Sequence, residues 1–225
     1  MITLFRFLFI LIIIVAAAGF IIYQLSSFLL GTRSVKRVIE RDKDFFNAVL
    51  DELMEGLVHI DKDELKIMSV TPVSKNVNQG ITTYEKGVIS TIYQEPIVAY
   101  TLKLYSNSNK LLLMLRTKSE TYSVLSEAEI FKVFKNSDHI GTINENYQLS
   151  IMGSGGSTIT GTRESSKLMS LSIGEEEIAH MNLRDENGKY DTDRVFSLFH
   201  NLESGYDESL LLLAVFHILI KPKLV

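Results

Sequence analysis

The sequence predicts a mainly β protein (α+β): an N-terminal transmembrane helix, an amphipathic juxtamembrane helix, then an antiparallel β-barrel enclosing a hydrophobic C-terminal helix. Three observations predict it. An uncharged apolar run occupies the start of the chain, period-two alternation runs through the middle, and a short segment near the end is apolar on every side. Together they divide the 225 residues into an anchor at 1–32, a juxtamembrane helix and linker at 33–62, and a β domain at 63–225.

The anchor comes first. No residue from Phe7 to Thr32 carries a charge. As a helix the run reaches roughly 37 Å, more than the roughly 30 Å of a bilayer's hydrocarbon core. The competing reading is a cleaved secretory signal, with Arg6 as its basic start and Ala16-Ala17-Ala18 as its cleavage site. Against it, the apolar run continues through Phe20-Ile21-Ile22-Tyr23 and Phe28-Leu29-Leu30, an extension that a signal peptide does not need. The expected partner of residues 7–30 is therefore the lipid bilayer. Arg33, Lys36, Arg37, Arg41 and Lys43 follow the run, against Arg6 alone before it, so the positive-inside rule places the C-terminal domain in the cytoplasm at the cell membrane, crossed once.

From Ser34 to about Leu57, Val35, Val38, Ile39, Phe46, Val49, Leu50, Leu53 and Leu57 recur at spacings of three and four, which predicts an amphipathic helix. Its basic first half makes Arg33, Lys36, Arg37, Arg41 and Lys43 the candidate contacts to anionic lipid headgroups, at about 1 kcal/mol per basic residue near the surface. A solvated helix face that merely obeys the topology rule accounts for the same charges.

Beyond about Glu64 the period becomes two. Val98, Tyr100, Leu102 and Leu104 form one apolar face; Tyr147, Leu149 and Ile151, then Met169, Leu171 and Ile173, then Ala179, Met181 and Leu183 form others. Such alternation marks strands with one face buried. Lys110–Arg116 does not alternate and reads as buried on both faces. Ser106–Asn109, Asn136-Ser137-Asp138, Gly153–Gly156 and Asn187-Gly188 supply the turns. Regular spacing from about residue 96 to 200 predicts an antiparallel meander closed as a barrel or packed as a sandwich. Ser157–Thr162 reads either as an edge strand or as a strand against polar groups.

Leu210–Ile220 carries one polar side chain, His217. Ser204, three residues before Asp207, resembles a capping box, and Pro222 ends the run. A helix at about 207–220 is too short to cross a bilayer and, being apolar all round, must be enclosed by protein. A closed barrel encloses it best; a re-entrant hairpin is the alternative.

The order of short antiparallel strands, a charged turn Tyr206-Asp207-Glu208-Ser209 and a wholly apolar terminal helix resembles the tubby-like superfamily: tubby C-terminal, phospholipid scramblase and LURP-one-related domains. Ile130–Phe134 turning into Ile140–Ile143 adds to the resemblance. It implies a twelve-stranded barrel around the helix, over roughly residues 64–225. The sequence departs from the scramblases in its N-terminal anchor, its lack of cysteine clusters and its lack of a calcium-binding segment. The tubby domains' headgroup-binding positions have no residue-by-residue match here.

No catalytic, metal-binding or cofactor-binding motif emerges. The histidines, His59, His139, His180, His200 and His217, lack metal-ligand spacing. Gly153–Ser157 lacks the lysine of a phosphate loop, and the acids at Glu175–Glu177 and Asp185–Glu186 read as solvated turns. His217, buried, needs a hydrogen-bond partner; a structural and a pH-sensitive role both stay open. A net charge of −4 without a basic, aromatic-interleaved stripe excludes nucleic acid. The expectation is a non-catalytic membrane-anchored domain that binds lipid headgroups or a membrane protein. A scramblase-like lipid translocator and a structural scaffold within a membrane complex are the alternatives.

Overall fold

A computed structural model describes residues 19–21, 37–79, 82–105, 110–127, 129–152, 158–185, 187–199 and 206–224. Most of the proposed anchor lies outside them, as do Arg33, Lys36, His200, Ser204 and the Gly153–Ser157 segment. Among the described residues no helix is long and apolar enough to cross a membrane. The chain divides into two compact units, Met1–Phe45 and Phe46–Val225, with the boundary inside helix α1 (residues 37–53).

The second unit is mainly β. Among the described residues twelve strands form one sheet in chain order, each antiparallel to the next: β1 (Val73–Gln79), β2 (Thr82–Ser90), β3 (Pro96–Tyr105), β4 (Lys110–Arg116), β5 (Thr121–Glu127), β6 (Ile130–Lys135), β7 (Asp138–Asn144), β8 (Gln148–Ile151), β9 (Thr158–Arg163), β10 (Leu168–Ile173), β11 (Glu176–Asn182) and β12 (Phe196–Phe199). The turn expected at Asn136-Ser137 joins β6 to β7, and both residues have the positive φ that a two-residue hairpin demands (46° and 80°). The polar segment read as a possible edge is β9, an interior strand between β8 and β10. Its polar residues are tolerated because only Ile159 turns fully inward.

The inner face carries one continuous core, in which Val98, Tyr100, Leu113, Val133, Leu149 and Met181 meet the terminal helix. Leu104, on the same face of β3 and paired with the buried Leu111, is 53% exposed near the end of the strand. β4 is buried from Leu111 to Leu115, as its lack of alternation predicts. Its inner residues Leu111, Leu113 and Leu115 join the core; on the outer side, the part of α1 from Phe46 onward contacts β2 and β4. Phe46 packs on Tyr84 with ring centroids 5.1 Å apart, and Asp51 pairs with Arg116 at 2.9 Å.

α1 ends at 53 rather than at Leu57, because the chain turns at Gly56 with φ +92°. A short helix the periodicity did not disclose, α2 (Lys62–Lys66), follows: Asp61 accepts from the backbone of Asp63 and Glu64, while Glu64 accepts from the Asp61 N–H.

The segment before β1 bonds to the end of β2 and to the chain just before β12. Ser69 N–H donates to Ser90 O at the end of β2 (2.9 Å). Val70 N–H donates to Asp193 O (3.0 Å) and Val195 N–H to Met68 O (2.9 Å), just before β12.

α3 (Asp207–Val215) continues into a π-helical turn, Phe216–Ile220, and a 3₁₀ turn, Lys221–Lys223. Every residue from Ser209 to Ile220 is buried, as a helix without a polar face requires. The expected capping box is replaced by Tyr206 at the N-cap, with no side-chain cap. The polar ends are held instead by the sheet: Glu208 pairs with Lys135 of β6 (3.1 Å), and Lys223 with Glu85 of β2 (3.0 Å), which also accepts from the Tyr100 hydroxyl (2.8 Å).

Close strand approach demands glycine at Gly87 and Gly141. At Gly141 of β7 an added Cβ would lie 2.3 Å from Ser150 O and 3.1 Å from Ile151 Cα. Backbone cannot yield there as a side chain can. Gly141→Ala is expected to lower stability by about 1–3 kcal/mol in urea denaturation, the usual range for overpacking.

Candidate functional site

The terminal helix ends beneath a cavity of about 660 Å³, within the size range of small-molecule sites. Its floor is built from residues far apart in sequence. Asn144 accepts at Oδ1 from the N–H groups of Asn146 and Gln148 (3.0 Å each), and so folds the β7–β8 connection tightly. That turn holds Tyr147 at φ +58°, a conformation bulky residues rarely adopt. Gly161 of β9 makes room for it: a Cβ there would lie 2.8 Å from Tyr147 Cβ and 2.6 Å from Met169 Sδ.

So placed, the Tyr147 hydroxyl lies 2.8 Å from His217 Nδ1, and the Tyr190 hydroxyl lies 3.1 Å from Nε2. His217 sits in the π-helical turn, a helix irregularity common at functional sites. Burial, with Arg184 and Lys221 nearby, pushes its pKa down to about 4. The ring is therefore neutral at pH 7, and one hydroxyl donates to it while the other accepts. Burial also raises the tyrosine pKa values, so both stay protonated.

Cations surround this neutral floor. Arg184 lies over the Tyr190 ring at 5.2 Å and Lys221 over the Tyr147 ring at 5.7 Å. Lys221 donates to Glu145 O (3.0 Å), while Arg163 donates to the backbone oxygens of Ser165 and Ser166. Arg184 Nε is buried without a hydrogen-bond partner. On the rim, the Asp185 carboxylate accepts from the N–H groups of Asn187 and Lys189, which hold it below the usual carboxylate range. Met169, Leu183 and Pro222 supply apolar wall. The arrangement offers charge-assisted donors and neutral hydroxyls to an anion that also carries an apolar part.

The sequence-predicted headgroup contacts lie elsewhere in the chain. Of the described ones, Arg37 and Arg41 are exposed and four residues apart, so they share one face of α1. Lys43 is half-buried and, two residues on, points to another face. Arg41 lies 4.0 Å from Asp42. Of the cavity residues, sequence reasoning weighed His217 as a functional candidate and read Asp185 as part of a solvated turn. Tyr147, Tyr190, Arg163, Arg184 and Lys221 carry no motif, and the packing of sheet, connections and terminal helix brings them together.

The depressed His217 pKa makes a pH prediction. The unfolded chain binds a proton near pH 6.5 that the folded chain refuses until about 4. Stability is therefore full above about pH 6.5 and falls as the pH drops toward 4, by about 3 kcal/mol. His217→Gln should flatten that acid limb, measured as the urea midpoint against pH.

No family model, curated protein or solved structure matches the chain.

Proposed function

We propose that this protein is a single-pass membrane protein whose non-catalytic, tubby-like β domain binds the anionic headgroup of a lipid at the inner membrane surface. The cavity above His217 takes the phosphate-bearing group. Phe7–Thr32 supplies the anchor, and the basic stretch Arg33–Lys43 adds charge attraction.

The observation that carries the reading is the cavity itself. Arg163, Arg184 and Lys221 line it with the protonated Tyr147, the neutral His217 and an apolar wall, and outnumber its two acidic residues, Glu145 and Asp185. The tubby-like architecture is supported by the sequential antiparallel order and the enclosed terminal helix. Closure into a barrel is supported by the bonds of Met68 and Val70 to the chain just before β12.

Liposome flotation of the piece from Ser34 onward tests the reading, with neutral and anionic vesicles at low and high salt. Selective flotation with anionic vesicles is expected, weakened but not abolished by salt, because part of the contact is shielded in the cavity. Equal behaviour with both vesicle types would remove the lipid-headgroup reading and favour a protein partner.

A further inference from the structure

The outer face of the strands beside the cavity carries a second cluster. On β10 Met169 and Leu171 turn inward and Ser170 outward; on the paired β11 Ala179 and Met181 turn inward and His180 outward. Glu177 precedes His180 by three residues, and in a regular strand that spacing puts two side chains on opposite faces. A bulge changes this. Leu171 pairs with Ala179, but Ser172 pairs with Glu177, which leaves Ile178 as an extra residue. Ile178 and Ala179 both point into the core, 3% and 0% exposed, and Glu177 comes round to the face of His180.

The hydroxyl of Ser170, directly across from His180, donates to Glu177 Oε2 (2.7 Å) and fixes that carboxylate. Glu164, just past β9, brings a second one. Glu177 Oε2 lies 3.0 Å and Glu164 Oε1 3.8 Å from His180 Nε2, and one donor atom from each residue falls within 4.8 Å of the others. His180 Nε2 is shut off from solvent and makes no hydrogen bond of proper geometry, despite the short distance to Glu177. A simple imidazolium–carboxylate pair would aim its N–H at an oxygen.

Ligand atoms bonded at about 2.0–2.1 Å to a tetrahedral metal stand roughly 3.3 Å apart, and the two distances to Nε2 straddle that value. We propose that His180 Nε2, Glu177 and Glu164 bind a divalent transition-metal ion of the zinc class. Two carboxylates neutralise the ion's charge. The imidazole selects against calcium and magnesium, which favour all-oxygen shells. Ser170 serves as the outer partner that orients Glu177. The ion would clip the turn after β9 to β11.

The test uses the tag-free full-length chain in neutral detergent, stripped with chelator and titrated with Co²⁺, then Zn²⁺. One equivalent of Co²⁺ is expected to give an intense tetrahedral visible spectrum that Zn²⁺ displaces, and Zn²⁺ should raise the thermal midpoint. His180→Asn should weaken binding at least ten-fold. Glu164→Gln, on a half-exposed side chain that the fold does not need, should do so as well with the apo thermal midpoint unchanged. A Co²⁺ spectrum identical to the free aqueous ion, or stoichiometric binding undiminished in both variants, would overturn the proposal.

Discussion

Replacing Leu213 by alanine is expected to lower the unfolding free energy by about 2–5 kcal/mol, and Leu213→Asp to yield no folded domain. Leu213 is fully buried in the middle of α3, with buried neighbours on every side of the helix. The inward faces of the strands pack against the helix: Phe131 meets Phe216 edge-on with centroids 5.1 Å apart, and Tyr147 meets the same ring at 5.8 Å. A cavity at Leu213 lies where collapse is hardest, and a carboxylate there has no water and no cation. Urea denaturation of the full chain in neutral detergent, followed by near-ultraviolet circular dichroism, measures the first change. Val73→Ala, on a residue 69% exposed on β1, is the control, with a change within about 0.5 kcal/mol.

Reversing two cavity cations, Arg184→Glu with Lys221→Glu, is expected to weaken binding to anionic vesicles by at least about 100-fold. Each charge-assisted hydrogen bond to a phosphate contributes about 1.5–3 kcal/mol, and the reversed charges add repulsion in place of attraction. Arg37→Gln with Arg41→Gln gives the contrast. Those exposed side chains contribute about 1 kcal/mol each near an anionic surface, so their loss should lower affinity modestly and mainly at low salt. Vesicle sedimentation across a lipid titration separates the two pairs of variants.

Much of the fold is legible in the sequence where one physical signal dominates. Period-two alternation marks β8, β10 and β11, and the unbroken apolar run at Leu210–Ile220 demands an enclosed helix. β1 is the opposite case. Val-Ser-Lys-Asn-Val-Asn-Gln has little apolar pattern because most of the strand is exposed, so its pairing with β2 rather than its composition makes it a strand. α2 was written in Asp61 and Glu64, three residues apart, but is too short to show a period.

The candidate sites are far less legible, for a topological reason. His217 announces itself as a polar residue on an apolar helix. Its partners, Tyr147 and Tyr190, lie 70 and 27 residues away and meet it only through the packing of sheet and helix. Glu177 and His180 are hidden differently. Strand periodicity separates them, and a bulge invisible in the residue pattern brings them together.

The most direct test of headgroup binding is a titration of the full-length chain, in neutral detergent, with short-chain phosphatidic acid, read by the NMR signals of His217 and Tyr147. The account predicts saturable one-site binding that shifts both residues, survives Arg37→Gln with Arg41→Gln, and disappears in Arg184→Glu with Lys221→Glu. No saturable shift, or binding lost with the α1 pair and kept with the cavity pair, would contradict it.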